Sequence, residues 1–258
     1  MKNGIEKVKD LLGHMVKIEM VMGITLLCVV SLIACRMPEI MEEDRAGIKK
    51  EKEEKAPKQN GMTIIIDPGH GGVDPGKIGI NNVLEKDVNL KIALKLKEHL
   101  RKRGYNIIMT RSDDVGLYSD NATNKKREDM NNRCSIINAE YGKDNKVINV
   151  SIHQNSYPSE SVKGPQVFYY SKSDKGKELA TTLQSVINEE LAIERPRTEK
   201  ANDNYYMLVH TKCPSVIVEC GFLSNYAEAE MLTSDEYQEK MVEAIVKGIE
   251  KYMDDNNL

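Results

Sequence analysis

The chain has 258 residues, of which 40% are hydrophobic and 30% are charged, and its formal net charge is -3 at pH 7. This composition is typical of a globular protein with a sizeable core and excludes wholesale disorder. The sequence contains no Trp, only two Phe residues and no excess of positive charge. It therefore gives no indication of a nucleic-acid partner, which would normally require a basic stripe with aromatic residues available for stacking.

An uncharged, mainly aliphatic stretch covers residues 20–35. Together with the lysines before it, this stretch predicts an N-terminal membrane-targeting segment over residues 1–35, either a retained anchor or a cleaved signal, with the rest of the chain extracytoplasmic. The sequence Leu32-Ile33-Ala34-Cys35 also resembles a bacterial lipobox, so lipidation at Cys35 is a third alternative. A buried core helix is the fourth.

Residues 36–59 contain seven acidic and seven basic residues and few apolar ones. Such a segment cannot bury enough surface to offset the entropy of ordering, so we expect a solvated, charged linker. The division of the chain is then a targeting segment at residues 1–35, a linker at residues 36–59 and a globular domain at residues 60–258.

Strand-like and helix-like patterns alternate through this domain. Short β-branched runs predict strands, and apolar residues repeating every three to four positions predict helices, the first with Val88, Ile92, Leu96 and Leu100 on one face and ended by Gly104. We expect a three-layer α/β fold with a mostly parallel, twisted sheet and helices on both faces. The predicted strands are 63–67, 105–110, 147–153, 166–170 and 215–219, and the later helices are 126–141, 174–190 and 234–253.

Four residues with reactive side chains occupy equivalent places in this alternation. His70, His153 and Glu219 each follow or end a predicted strand, and Glu85 begins the first helix. Because the carboxyl ends of parallel strands and the amino ends of the following helices lie along one edge of the sheet, the four should converge.

Their chemistry suits a catalytic metal site. Two imidazoles and one carboxylate, here His70, His153 and Glu85, form a zinc ligand set that leaves a position for water. A second carboxylate, Glu219, could then move protons, since partial burial at the end of an apolar strand would raise its proton affinity.

Other interpretations of these residues exist. Glu85 could simply be a favourable charge in the first turn of a helix. Gly71 and the Gly76-Lys77 pair resemble a phosphate-binding loop, but Ile78 stands where Ser or Thr would coordinate magnesium.

Five ordered motifs carry a family resemblance: IIIDPGHGGVDPG, LEKDVNL, MTRSDD, SIHQNS and VIVECGFLSN. They resemble the zinc-dependent N-acetylmuramoyl-L-alanine amidases of the amidase-3 family, over nearly all of residues 62–253. The runs GPQVFYYSKSD and YYML are more similar to the spore-cortex branch than to the division amidases.

The resemblance implies hydrolysis of the amide between the lactyl group of N-acetylmuramic acid and L-alanine of the peptidoglycan stem peptide, in spore-cortex maturation before muramic-δ-lactam formation. It implies that His70, Glu85 and His153 hold Zn²⁺ and that Glu219 is the catalytic carboxylate. The chain lacks the cell-wall-binding repeats and the inhibitory segment found in some relatives, so targeting would come from the membrane segment or an accessory protein. A catalytically inactive pseudo-amidase that binds peptidoglycan or recruits a partner is the alternative.

Several further residues have two interpretations each. Asn155 and Arg111 could meet substrate or hold loops in place. Arg195 and Arg197 could meet carboxylates of the stem peptide or be solvated loop charges. Cys134, Cys213 and Cys220 lie in apolar patterns and are expected to be buried core residues without disulfides.

Overall fold

The computed structural model describes residues 61–143 and 146–258, all within one compact unit, Pro57–Leu258. The predicted targeting segment and linker lie outside the described residues, so the proposed division of the chain stays a prediction. Among the residues described, no helix is both long and apolar enough to cross a bilayer.

Six strands and six helices alternate along the described part of the chain. The strands are β1 (Thr63–Pro68), β2 (Asn106–Met109), β3 (Val147–Asn155), β4 (Gln166–Tyr169), β5 (Lys200–Ala201) and β6 (Ser215–Phe222). The helices are α1 (Glu85–Lys102), α2 (Lys125–Lys143), α3 (Asp174–Glu190), α4 (Tyr206–His210), α5 (Tyr226–Thr233) and α6 (Asp235–Asn256).

The strands form one sheet in the order β2-β1-β3-β6-β4-β5. Every pairing is parallel except that of β4 with β6, which is antiparallel. The predicted α/β architecture with a mostly parallel sheet is therefore confirmed. Because β4 runs against its neighbour, the start of β4 lies beside the end of β6.

Helices cover both faces of the sheet, as the continuous apolar strands predicted. In β1, Ile64 and Ile66 belong to the larger core cluster beneath α1, α3 and α6, whereas Ile65 faces a second cluster with residues of α2 and α4. The predicted apolar face of α1 is confirmed, since Val88, Ile92, Leu96 and Leu100 are all buried. The cysteines of the domain, Cys134, Cys213 and Cys220, are also buried, as expected.

The sequence patterns missed three elements, all short: β5 with two residues, α4 with five and α5 with eight. Elements of this length contain too few apolar repeats to show a period. Their order depends on capping and tertiary contacts. At α5, for example, the side chain of Asn225 accepts a hydrogen bond from the backbone amide of Glu228.

A buried ion pair fixes the end of β1. Asp67 and Arg133 are 0% and 2% exposed, and the Arg133 Nη1 atom lies 2.9 Å from the Asp67 Oδ1 atom. Thr110 and Ser151 donate further hydrogen bonds to the same carboxylate. Burial alone would raise the pKa of Asp67, but the Arg133 charge and these hydrogen bonds lower it, so the carboxylate stays ionised.

We expect Arg133→Leu to lower the free energy of unfolding by about 3–5 kcal/mol, because Asp67 would be left buried without a counter-charge. Urea denaturation followed by circular dichroism measures this loss. Arg127→Leu is the matched control, since Arg127 is an exposed residue of the same helix and its replacement should change stability by less than about 0.5 kcal/mol. Equal stabilities of the two variants would contradict the assigned role of the ion pair.

Candidate active site

The first imidazole of the site follows the end of β1. The backbone amide of Gly69 donates to the carbonyl of Ile152, which extends the pairing of β1 with β3 up to His70. His70 itself has a φ of 62°, a left-handed conformation that is uncommon for a residue with a side chain. Arg133 stabilises this conformation by donating hydrogen bonds to the carbonyls of Pro68 and His70.

The Glu85 carboxylate lies in the first turn of α1, buried and fully hydrogen-bonded. Its Oε2 atom accepts from the backbone amide of Lys77 at 2.7 Å, and its Oε1 atom accepts from the backbone amide of Gln154 at 3.1 Å. The glycine-rich loop thus delivers an amide to a carboxylate of the protein itself. This arrangement excludes the phosphate-loop interpretation of Gly76-Lys77.

The two imidazoles converge on Glu85. The His70 Nε2 atom lies 3.2 Å from Glu85 Oε2, and the His153 Nδ1 atom lies 3.0 Å from Glu85 Oε1. One donor atom from each of the three residues falls within 4.8 Å of the other two. Burial would raise the pKa of Glu85, but hydrogen bonds with His153 and His70 hold that pKa well below its usual range.

These residues fit a divalent cation. The donors are two imidazole nitrogens, which bind metals in their neutral form, and one carboxylate. This is the ligand set expected of a catalytic zinc site. A methyl group at Gly69 would lie 2.1 Å from the His153 ring, and one at Gly76 would lie 2.6 Å from both Glu85 Oε2 and the His70 ring. Only glycine at these two positions leaves room for the three donors, so the surrounding backbone is shaped around the cluster.

Glu219 lies beside His153, because the two residues are register partners in β6 and β3. It is 6% exposed, and its Oε2 atom has no hydrogen-bond partner among residues 61–143 and 146–258. Burial raises the pKa of Glu219 to about 7, as the sequence predicted for a carboxyl at the end of an apolar strand. A buried carboxyl with a free oxygen beside a metal-ligand cluster is suited to accept and return a proton.

A cavity of 280 Å³ opens over these groups. His70, His153 and Glu219 line it, together with Tyr205. All four residues predicted from the sequence therefore meet at one edge of the sheet, which is the convergence that the strand order required. Their roles as metal ligands and catalytic carboxylate remain a proposal.

Comparison with known proteins identifies the family. The family model of N-acetylmuramoyl-L-alanine amidases matches residues 64–251. The chain belongs to this amidase family. The resemblance stated on the sequence motifs is confirmed, and the match spans the whole of the site described above.

Three relatives illustrate the similarity of this chain to known amidases. It is 35% identical over 196 residues to the germination-specific N-acetylmuramoyl-L-alanine amidase of Bacillus subtilis, covering 75% of this chain and 80% of that one. It is similar to the CwlD amidase of Clostridioides difficile, solved in complex with the GerS lipoprotein, with 39% identity, a TM-score of 0.70 and coverage of 75% and 98%. The amidase AmiC2 of Nostoc punctiforme has 31% identity, a TM-score of 0.65 and coverage of 76% and 99%.

Two neighbours of the cluster were missed by the sequence analysis. The Asp74 Oδ2 atom accepts a hydrogen bond from His70 Nδ1 at 2.9 Å, which fixes the ring so that Nε2 points towards Glu85. The Tyr205 hydroxyl lies 3.5 Å from Glu219 Oε1, and burial raises the pKa of Tyr205 so that it stays protonated. Asp74 belongs to the same glycine-rich motif as His70, but its contact depends on the left-handed backbone of His70, which the motif does not fix. Tyr205 comes from the short helix region that showed no period.

Arg111 and Asn155 were each expected either to meet substrate or to hold loops in place. Arg111 is 3% exposed and donates hydrogen bonds to the carbonyls of Pro68 and Gly69, so it holds the loop before His70 in place. Asn155 ends β3, and its carbonyl accepts from the amide of Leu223. The Arg111 contacts support its loop-holding interpretation, whereas the Asn155 contact is made by the backbone and does not distinguish the two interpretations of its side chain.

We expect Gly69→Ala to weaken zinc binding by more than about 100-fold, because the added methyl group forces the His153 ring out of the cluster. A competition titration with a chromophoric chelator measures the affinity. Gly142→Ala is the control, since nothing lies within 4 Å of a methyl group at this helical position, and alanine there should be neutral or stabilising by up to about 1 kcal/mol. Unchanged zinc affinity of Gly69→Ala would show that His153 is not a ligand.

We expect Asp74→Asn to weaken zinc binding by about 10- to 100-fold, because the amide cannot hold the His70 ring as the carboxylate does. The same titration gives the result. Asp120→Asn, which changes an exposed carboxylate in the loop before α2, provides the comparison. If both variants bind zinc like the unmodified protein, Asp74 does not orient a ligand.

Proposed function

We propose that this amidase hydrolyses the amide between the lactyl group of N-acetylmuramic acid and L-alanine of the stem peptide with the help of one Zn²⁺ ion. The observation that carries the proposal is the meeting of His70, Glu85 and His153 beside a buried carboxyl, Glu219, whose second oxygen is unpaired. A peptidoglycan-binding protein without catalysis would not need to keep such a group buried.

In this proposal His70, Glu85 and His153 hold the metal. When bound, zinc supplies Lewis-acid polarisation of the scissile carbonyl and makes a water molecule more acidic. Asp74 keeps the His70 ring in the orientation that presents Nε2. The two backbone amides on Glu85 fix that carboxylate in position.

Glu219 carries the proton in this proposal. It accepts a proton from the attacking water as the oxygen bonds to the carbonyl carbon, and it returns this proton to the nitrogen of L-alanine as the carbon–nitrogen bond breaks. A pKa of about 7 suits a group that must perform both transfers. The Tyr205 hydroxyl donates to Oε1 of this carboxyl and leaves Oε2, the unpaired oxygen, for the proton transfer.

The setting we propose is spore-cortex maturation, before formation of muramic-δ-lactam. The similarity to a germination-specific amidase and to CwlD supports it. Export across the membrane and attachment through residues 1–35, with cleavage or lipidation at Cys35 as alternatives, belong to the same proposal. The solved neighbour bound to a lipoprotein supports an accessory protein for targeting or activation of this chain too.

Digestion of cortex peptidoglycan followed by mass spectrometry tests the reaction. We expect products with a free lactyl carboxylate and a free L-alanine amine, loss of these products with a chelator and their return with added zinc. Glu219→Gln should lower kcat by about 10²- to 10⁴-fold, because the isosteric amide cannot accept the proton.

Zinc content separates catalysis from folding in this test. Glu219→Gln should bind zinc normally, and Glu189→Gln, an exposed position on α3, should retain full activity. Cleavage at any other bond, or normal turnover by Glu219→Gln, would refute the proposal.

A further inference from the structure

A second cavity, of 560 Å³, lies at the same edge of the sheet as the candidate active site. Its wall includes Arg197, whose Nη1 atom lies 3.5 Å from the side-chain oxygen of Gln166. Gln166 begins β4 and is the register partner of Glu219 in β6. The guanidinium of Arg197 also stacks over the Phe222 ring at 5.2 Å, at the very end of β6. Arg197 therefore contacts both the strand that carries Glu219 and the neighbouring strand.

The cavity is lined by three cationic side chains, Lys163, Arg195 and Arg197. Arg197 is held in place by hydrogen bonds from its Nε and Nη2 atoms to the carbonyl of Lys163. The side chains of Lys163 and Arg195 make no hydrogen bond or ion pair within the described ranges, and both are exposed. Two of the three cations are thus free to meet a ligand.

The same wall contains two acidic side chains, Glu194 and Glu228, against the three cationic ones, so the formal charge of the lining is +1. Glu228 is 8% exposed, and its two oxygens accept hydrogen bonds from the backbone amides of Gly164 and Phe222, each at 2.8 Å. These bonds hold the loop before β4 against the turn after β6. Burial raises the pKa of Glu228, and the Arg197 and Lys163 charges oppose that rise. The other acid of the lining, Glu194, is exposed to solvent.

The distance to the reaction centre suits a peptide of a few residues. Paired strands place the Cα atoms of Gln166 and Glu219 about 5 Å apart. The Gln166 side chain and its contact with Arg197 add about 8 Å, so the guanidinium lies within about 13 Å of the Glu219 backbone. An extended chain covers this span in about four residues at roughly 3.5 Å each.

We propose that Lys163, Arg195 and Arg197 form a subsite for carboxylates of the stem peptide, two to four residues beyond the scissile bond. The ligand class is an acidic peptide, since guanidinium and ammonium groups bind carboxylates through charge-assisted hydrogen bonds. The inference rests on the proposed function for the placement of the scissile bond at Glu219. It makes this cavity the part of the amidase that selects substrates by the charge of their peptide.

Calorimetric titration of the full-length Glu219→Gln protein tests the subsite without hydrolysis. The two ligands are an N-acetylmuramoyl tripeptide with free carboxylates and the same compound with those carboxylates amidated. We expect tighter binding of the free-carboxylate ligand, with a preference that shrinks at high salt. The double variant Lys163→Glu with Arg195→Glu should weaken binding of the free-carboxylate ligand at least about tenfold. It should change the affinity for the amidated ligand by less than about twofold.

Lys175→Glu with Lys212→Glu is the matched control, because it makes the same change in net charge at two exposed residues outside the lining of this cavity. It should preserve the preference. The neutral pair Lys163→Gln with Arg195→Gln should give a smaller loss in the same direction. The subsite would be overturned if the unmodified cavity bound the two ligands equally. It would also be overturned if Lys163→Glu with Arg195→Glu lowered the affinity for both ligands equally. A preserved preference in a protein that cleaves no muropeptide would instead refute the proposed function and leave the subsite standing.

Discussion

The side chain of Arg133 connects the stability of this fold to the geometry of its site. It neutralises Asp67 inside the protein and also donates hydrogen bonds to the carbonyls of Pro68 and His70. The left-handed backbone of His70 is intrinsically unfavourable and persists only where its surroundings over-determine it. Arg133 holds this conformation through its hydrogen bonds to the carbonyls of Pro68 and His70. Arg111 holds it through a hydrogen bond to the carbonyl of Gly69. The position of the first imidazole is therefore a consequence of a buried ion pair rather than of the loop sequence alone.

Parallel register then brings the other groups to the same place. The pairing of β1 with β3 sets Pro68 beside Ile152, and the pairing of β3 with β6 sets His153 beside Glu219. A shift of one residue in either pairing would turn these side chains to the opposite face of the sheet. Such a shift in the pairing of β1 with β3 would also separate Ser151 from Asp67 and break their buried hydrogen bond. Strand register thus determines the spacing of the groups proposed for catalysis.

The sequence was sufficient for the parts of this site that follow from strand order. His70, Glu85, His153 and Glu219 could be assigned because the ends of parallel strands must share an edge, and the apolar periods located those ends. Contacts that depend on the direction of a side chain could not be predicted from the sequence. The bond from His70 to Asp74 requires the left-handed turn at His70, and no pattern in the sequence fixes that angle. Tyr205 escaped notice because its approach to Glu219 depends on β5 and α4, which are too short to show a period.

The edge of the sheet carries two regions of opposite charge. Their separation decides whether peptide selection can change without a change in metal affinity. Glu85, Asp74 and Glu219 make the centre favourable for a cation, whereas Lys163 and Arg195 make the second cavity favourable for an anion. The two cavities share no lining residue, so each region acts on its own ligand. Changes in the basic cavity should then alter which peptides bind without altering the affinity for the metal. A substrate that is neutral at its sugar and acidic along its peptide would be oriented by this asymmetry, because the reverse placement would bring its carboxylates towards the acids of the centre.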